Sequence, residues 1–193
     1  MSDLEGLRKE MDLLWGPDHF GRPASPHPPL AIAVAMEGYN IRFAPTLSDE
    51  LRTRMEAIVA QETWHEWRSN DPSCGLRITG GPSFLMHGWE VAPEASFRIL
   101  DSGGSPPSAE DVRRPEPWGD DAEWAELLAG RLGPWALALR DERVVGVCYT
   151  PVASLQAAEA GVWTDAEERG RGCGPLVTAA WANAARHEFA TLF

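Results

Sequence analysis

The sequence predicts a mixed α/β protein whose central layer is mainly antiparallel. Three observations support this. A two-residue link at Asp141-Glu142 joins two strand-like runs, which makes an antiparallel hairpin. A strand, a glycine-rich loop and a helix pattern follow one another between residues 158 and 187. The second half as a whole reads strand, helix, helix, strand, strand, strand, helix. With 193 residues, 44 % of them apolar, the chain has enough material for one core and an added lobe.

Ser2 and Glu5 have capping-box spacing, and Leu4, Leu7, Met11 and Leu14 follow at helical intervals, so a first helix is expected to end by Gly16-Pro17. Residues 16–29 are proline-rich and read as an irregular connector. Leu30, Ile32, Val34 and Met36 alternate with alanines, a strand pattern, and Glu37-Gly38 turns it into a second strand from Tyr39 to Ala44. Thr46 to Thr63 is an amphipathic helix pattern, closed by Trp64, His65, Glu66 and Trp67. Leu76 to Trp89 suggests two short strands broken at Gly80-Gly81-Pro82. Phe97 to Leu100 is a strand, residues 102–107 (SGGSPP) a loop, Ser108 to Arg113 a short helix and Asp121 to Gly130 a better one. Pro134 to Arg140 and Arg143 to Thr150 form the hairpin. Ala158 to Thr164 is a strand and Pro175 to His187 a helix.

Lys and Arg number 17 against 29 Asp and Glu, a formal charge of −12. An acidic surface argues against nonspecific binding to nucleic acid or anionic membrane, and tolerates cationic partners such as amines. Cys74, Cys148 and Cys173 are scattered, with no CxxC pair, so neither a zinc knuckle nor a disulfide framework is expected, and no metal. No apolar run approaches the roughly 20 residues of a membrane helix. The N-terminus lacks signal-peptide character. A cytoplasmic protein is expected.

Arg169-Gly170-Arg171-Gly172-Cys173-Gly174-Pro175 lies between the last predicted strand and helix. Glycines let backbone N–H groups approach an anion at positive φ, and the orphan N–H groups and dipole of a helix start favour phosphate. Three nucleotide motifs can be compared. A dinucleotide fingerprint starting at Gly170 would need glycine where Pro175 stands. A Walker A loop needs a lysine that is absent. R/Q-x-x-G-x-G/A is satisfied by Arg169, Gly172 and Gly174.

On these residues the segment resembles the acetyl-CoA signature of the GNAT superfamily of N-acetyltransferases. AEAGVWTDAEERGRGCGPLVTAAWANAAR and the upstream GPWALALRDERVVGVCYT resemble a bacterial branch of that family. The likeness extends over residues 95–193, expected as an acetyl-CoA-binding core. Residues 1–94 are similar to the α/β lobe preceding it, with GGPSF at 80–84 as the best local echo. The resemblance implies a mixed, mainly antiparallel sheet flanked by helices, with acetyl-CoA as co-substrate. It implies that main-chain groups of Val162, Trp163 and Thr164 pair with the pantetheine arm, and that N–H groups of Arg169, Gly170, Arg171, Gly172, Cys173 and Gly174 hold the pyrophosphate. It also implies direct transfer of acetyl to a small-molecule or peptide amine. The alternative is a non-catalytic acyl-CoA-binding or interaction module of the same fold.

Acetyl transfer needs a neutral amine, and an alkyl amine has a pKa of about 10, so a base must take its proton. Glu159, at the start of the motif strand, stands near the position where some family members carry that base; the other reading is a solvent-facing carboxylate. Glu167 and Glu168 read as a solvated loop. Tyr149 is either a cleft hydrogen-bonding group or a half-buried strand tyrosine. His65-Glu66 starts an HExxH pattern that Ser69 ends, and Gly81 to Leu85 lacks the last glycine of a nucleophile elbow. Cys173, at a helix start, is a candidate reactive thiol or a structural one. Trp15, Trp64, Trp67 and Trp89 either line a substrate cleft or belong to the core.

The family core continues with a strand that splays from the motif strand and a last helix, which commonly bears a Tyr acid. Here Phe189 to Phe193 reads as the start of that strand. An unpaired edge and an open apolar face are therefore expected, as for a fragment, a homodimer that completes the sheet by swapping, or a degenerate member.

Overall fold

The computed structural model describes residues 1–16, 19–20, 30–60, 83–86, 97–104, 107 and 112–193. The expected features at Trp64, His65, Glu66, Trp67, Cys74, residues 80–82 and Trp89 lie outside the described residues, as does most of the short helix expected at 108–113. The chain divides into two compact units. One comprises Met1–Arg8 and Pro26–Phe84; the other comprises Lys9–Ser25 and Leu85–Phe193.

In the first unit, α1 (Asp3–Trp15) begins where the Ser2 hydroxyl accepts from the Glu5 N–H at 3.2 Å. The helix continues into the residues of the second unit. Strands β1 (Leu30–Ala35) and β2 (Gly38–Phe43) form an antiparallel hairpin with Ala35 opposite Gly38. Helix α2 (Asp49–Ala60) starts three residues later than expected, because Ser48 caps it by accepting from the Leu51 N–H at 3.4 Å.

The second unit contains a four-stranded antiparallel sheet in the order β3 (Arg98–Asp101), β4 (Trp135–Arg140), β5 (Arg143–Tyr149) and β7 (Gly161–Thr164). The strand alternation of β4 sorts its side chains by size. Trp135, Leu137 and Leu139 face α3 (Asp121–Leu128), where they pack with Trp124, Leu127 and Leu128. Ala136 and Ala138 face α4 (Cys173–Ala185), where they pack with Leu176, Val177 and Trp181. The two helices thus cover opposite faces of one sheet, the mixed α/β architecture the sequence predicts. Asp141 and Glu142 form the β4–β5 turn with φ of 50° and 61°, the pair of positive values that a two-residue type I′ link requires. A bulge between Ala138 and Leu139 leaves Val145 as the extra residue on β5. The Trp181 indole, fully buried, donates to the Pro134 carbonyl at 3.1 Å and to the Thr150 hydroxyl at 3.0 Å. Helix α4 begins two residues before Pro175, since proline is tolerated throughout a first turn whose N–H groups are unpaired.

The expected strand from 158 to 164 is divided. Its first part, β6 (Ala157–Ala158), pairs in parallel with β8 (Thr191–Leu192), and its second part, β7, pairs with β5. Between them the Glu159 N–H turns to the Val152 carbonyl at 3.1 Å, and the Ala160 N–H reaches the Phe193 carbonyl at 2.8 Å. The expectation of an open apolar face at the end of the chain is not met. Phe189, Leu192 and Phe193 are 4, 7 and 6 % exposed, Leu13 packs with Phe193, and the Leu192 carbonyl accepts from the Met86 N–H at 3.0 Å.

A Cβ at Gly146 would lie 2.6 Å from the Cys173 sulfur, too close for α4 to keep its seat. Gly146→Ala is expected to destabilise the protein by about 1–3 kcal/mol, and Cys173→Ala to recover part of that loss in the double variant. Denaturant unfolding of the four proteins measures the coupling; strict additivity would contradict the contact.

Candidate functional site

The site is built at the free edge of β7 and the turn that follows. β7 pairs with β5 from Gly161 opposite Tyr149 to Thr164 opposite Gly146, and no described strand pairs with its other side. The Asp165 N–H donates to the Val145 carbonyl at 2.9 Å. Antiparallel alternation then points the main-chain groups of Trp163 at β5 and those of Val162 and Thr164 outward. The side chains divide the other way. Trp163 packs with the α3 cluster, whereas Thr164 lies toward the first turn of α4, where a Cβ on Gly174 would meet its hydroxyl at 3.6 Å.

After β7, Asp165 caps a short 3-10 turn, Ala166–Glu168, by accepting from the Glu167 N–H at 2.9 Å. Gly170 and Gly172 follow with φ of 75° and 78°, a conformation in which a Cβ costs roughly 1–2 kcal/mol. Gly172 is the N-cap of α4 and offers no side-chain acceptor. No described main-chain group accepts from the N–H of Gly170, Gly172, Cys173 or Gly174. Pro175 has no N–H, and Leu176 is the first to bond back, to the Gly172 carbonyl at 3.2 Å. The loop therefore presents unpaired donors at the positive end of a 13-residue helix, an arrangement suited to an anion. Arg169 and Arg171 flank it, both exposed. Arg169 also borders an open groove of about 1380 Å³ on the Trp163 face, shared with Arg113 and Arg143.

Charge pairs that the sequence does not reveal support this loop. The Arg143 guanidinium lies 3.1 Å from Asp165 and 3.7 Å from Glu167. Glu168, expected in solvent beside Glu167, is instead 5 % exposed. Its carboxylate lies 3.2 Å from Arg140 and 3.7 Å from Arg171. The Arg140 guanidinium also lies over the Phe97 ring, 4.6 Å from its centroid. Two adjacent glutamates look alike in sequence, and only the turn at Asp165 decides which one points inward.

Glu159 sits at the break between β6 and β7, half-buried. Burial raises its pKa above the ordinary carboxylate value, and the negative charge of Glu10 adds to the effect. Tyr149 is a half-buried strand tyrosine. Its ring lies over Gly161, where a Cβ would come within 2.5 Å, and packs edge-on against Trp118 at 4.8 Å. Both described cysteines are buried. Burial pushes the Cys148 thiol up to about 12 and that of Cys173 up to about 11, the latter with help from the Glu168 charge. This outweighs the helix start that made Cys173 a candidate reactive thiol. Among the described residues no three His, Cys, Asp or Glu side chains converge as a metal site.

No protein-family model and no curated protein matches the chain. Among solved structures, it is similar to an aminoglycoside acetyltransferase from an uncultured soil metagenomic sample, solved with trehalose and with sisomicin. In both complexes the identity is 16 %, the match covers 51 % of this chain and 76 % of the other, and the TM-score is 0.36. It is also similar to a ribosomal-protein-alanine N-acetyltransferase from Brucella melitensis biovar Abortus 2308, at 20 % identity over 50 % of this chain and 77 % of the other, with a TM-score of 0.36.

The buried thiols are directly testable. Cys148 and Cys173 are expected to stay unmodified by an alkylating reagent at about pH 8, below their raised pKa values, and to react on denaturation. Peptide mapping reads both sites separately; rapid native labelling of Cys173 would contradict its burial.

Proposed function

We propose that the chain is a GNAT-type N-acetyltransferase that moves acetyl from acetyl-CoA to a primary amine. The observation that carries this reading is the set of N–H donors at Gly170, Gly172, Cys173 and Gly174, unpaired among the described residues, directly beyond the edge of β7 that no described strand covers. A nucleotide alone would need the loop but not the edge. A ligand with a diphosphate joined to an extended amide-bearing arm uses both, as a peptide strand uses a sheet edge. The residues present fit such a group: Val162 and Thr164 supply outward main-chain donors and acceptors, the loop supplies N–H groups, and Arg169 and Arg171 supply positive charge.

When bound, acetyl-CoA supplies an activated acyl thioester. The protein's part is to orient the arm along β7, hold the diphosphate at the start of α4 and remove a proton from the attacking amine. Glu159 is assigned that last role. A carboxylate whose pKa is raised accepts a proton more readily from an alkyl ammonium with a pKa of about 10. The active form of Glu159 is the ionised one, so activity is lost as pH falls through its raised pKa. The acceptor is a small-molecule or peptide amine, for which the acidic surface, at −12 overall, is a favourable field. We place the protein in the cytoplasm, where thiols such as Cys148 and Cys173 remain reduced.

Gly172→Asp tests the loop. Aspartate tolerates positive φ better than most residues, so the variant is expected to fold, while its charge opposes the diphosphate. The Kd for CoA, measured by calorimetry, is expected to rise at least about 10-fold, ~1.4 kcal/mol; unchanged affinity would remove the assignment. Glu159→Gln tests the chemistry. It is expected to lower kcat by about 10²–10⁴ and to abolish the acid limb of the pH–rate profile, with CoA affinity retained. Thiol release on an amine panel measures turnover. CoA binding without release on any amine would instead favour a non-catalytic acyl-CoA-binding module.

A further inference from the structure

We propose that Glu168 is a positioning residue for the anion-accepting loop, which its buried carboxylate fixes to the sheet through Arg140 while restraining Arg171. The inference rests on the CoA reading above and deepens it.

The loop between β7 and α4 must hold its donors in one arrangement, yet it has little with which to do so. From Asp165 to Gly172, Glu168 is the only buried residue; Arg169, Gly170, Arg171 and Gly172 are all exposed. Its main chain also joins two consecutive turns. The Glu168 N–H donates to the Asp165 carbonyl at 3.0 Å, and the Glu168 carbonyl accepts from the Arg171 N–H at 3.3 Å. Fixing this one side chain therefore fixes the backbone on both sides of it. The anchor is Arg140 at the end of β4, 3.2 Å from the carboxylate and backed by the Phe97 ring.

A carboxylate beneath an anion site is electrostatically unfavourable by itself, so its presence calls for a compensating role. Arg140 and Arg171 both lie within ion-pair distance of it, at 3.2 and 3.7 Å, and the three groups together carry one net positive charge. Arg171 is still 59 % exposed at its side chain, held near the loop but accessible to a phosphate oxygen.

The test uses the full chain and two ligands that share an arm, CoA and S-acetylpantetheine, which lacks the diphosphate. Glu168→Gln is expected to raise the Kd for CoA about 10-fold (~1.4 kcal/mol) and to leave S-acetylpantetheine binding within about 2-fold. A merely structural defect would weaken both ligands alike. The single variant leaves Arg140 without its counter-charge and risks misfolding; the double variant Glu168→Gln/Arg140→Met removes both charges and is expected to show the same selective loss. Unchanged CoA affinity in a folded variant, or equal loss for both ligands, would overturn the positioning role. Failure of the unmodified protein to bind CoA would overturn the underlying reading as well.

Discussion

Helix α4 lies against the sheet only because the strands beneath it offer almost no side chain. Ala136, Ala138 and Gly146 form the floor, and on that floor Cys173, Val177 and Trp181 descend far enough for the indole of Trp181 to reach the Pro134 carbonyl. The opposite side of the same strands carries Trp135, Leu137 and Leu139. This asymmetry decides which helix sits close and which sits on a thicker layer. It also fixes the height at which α4 begins, and therefore where its unpaired N–H groups meet the end of β7. A larger residue at Gly146 would displace the loop without touching it.

The loop itself combines freedom and restraint. Gly170 and Gly172 supply backbone conformations that other residues resist. Restraint comes from side chains outside the glycine motif: Asp165 with Arg143, and Glu168 with Arg140. The short motif describes only the glycine loop itself, while the framework that shapes it is drawn from two other strands.

Much of this was legible in the residues. The period-two alternation of β4, the two-residue turn at Asp141-Glu142 and the helix pattern from Pro175 to His187 specify their elements by local chemistry to within two residues at the ends of α4, and the spacing of Arg169, Gly172 and Gly174 marks the loop. What the residues could not express is partner choice. AEAGVWT, Ala158 to Thr164, reads as one strand, yet Ala158 pairs with β8 and Gly161 to Thr164 pair with β5, a division set by long-range hydrogen bonds. The inward turn of Glu168 is likewise invisible in a pair of adjacent glutamates. The expected open face at Phe189 to Phe193 assumed that nothing else covers those side chains, whereas Leu13, 180 residues earlier in the sequence, packs with Phe193.

The side of β7 that no described strand covers has a consequence for how the protein is handled. An edge strand with outward N–H and carbonyl groups, and with Val162 49 % exposed beside them, is a template on which another chain can add a strand. The outward groups of Val162 and Thr164 that would pair with a ligand's arm would therefore also nucleate self-association at high concentration. A ligand lying along that edge would act as a protective cap, making solubility and colloidal lifetime depend on occupancy.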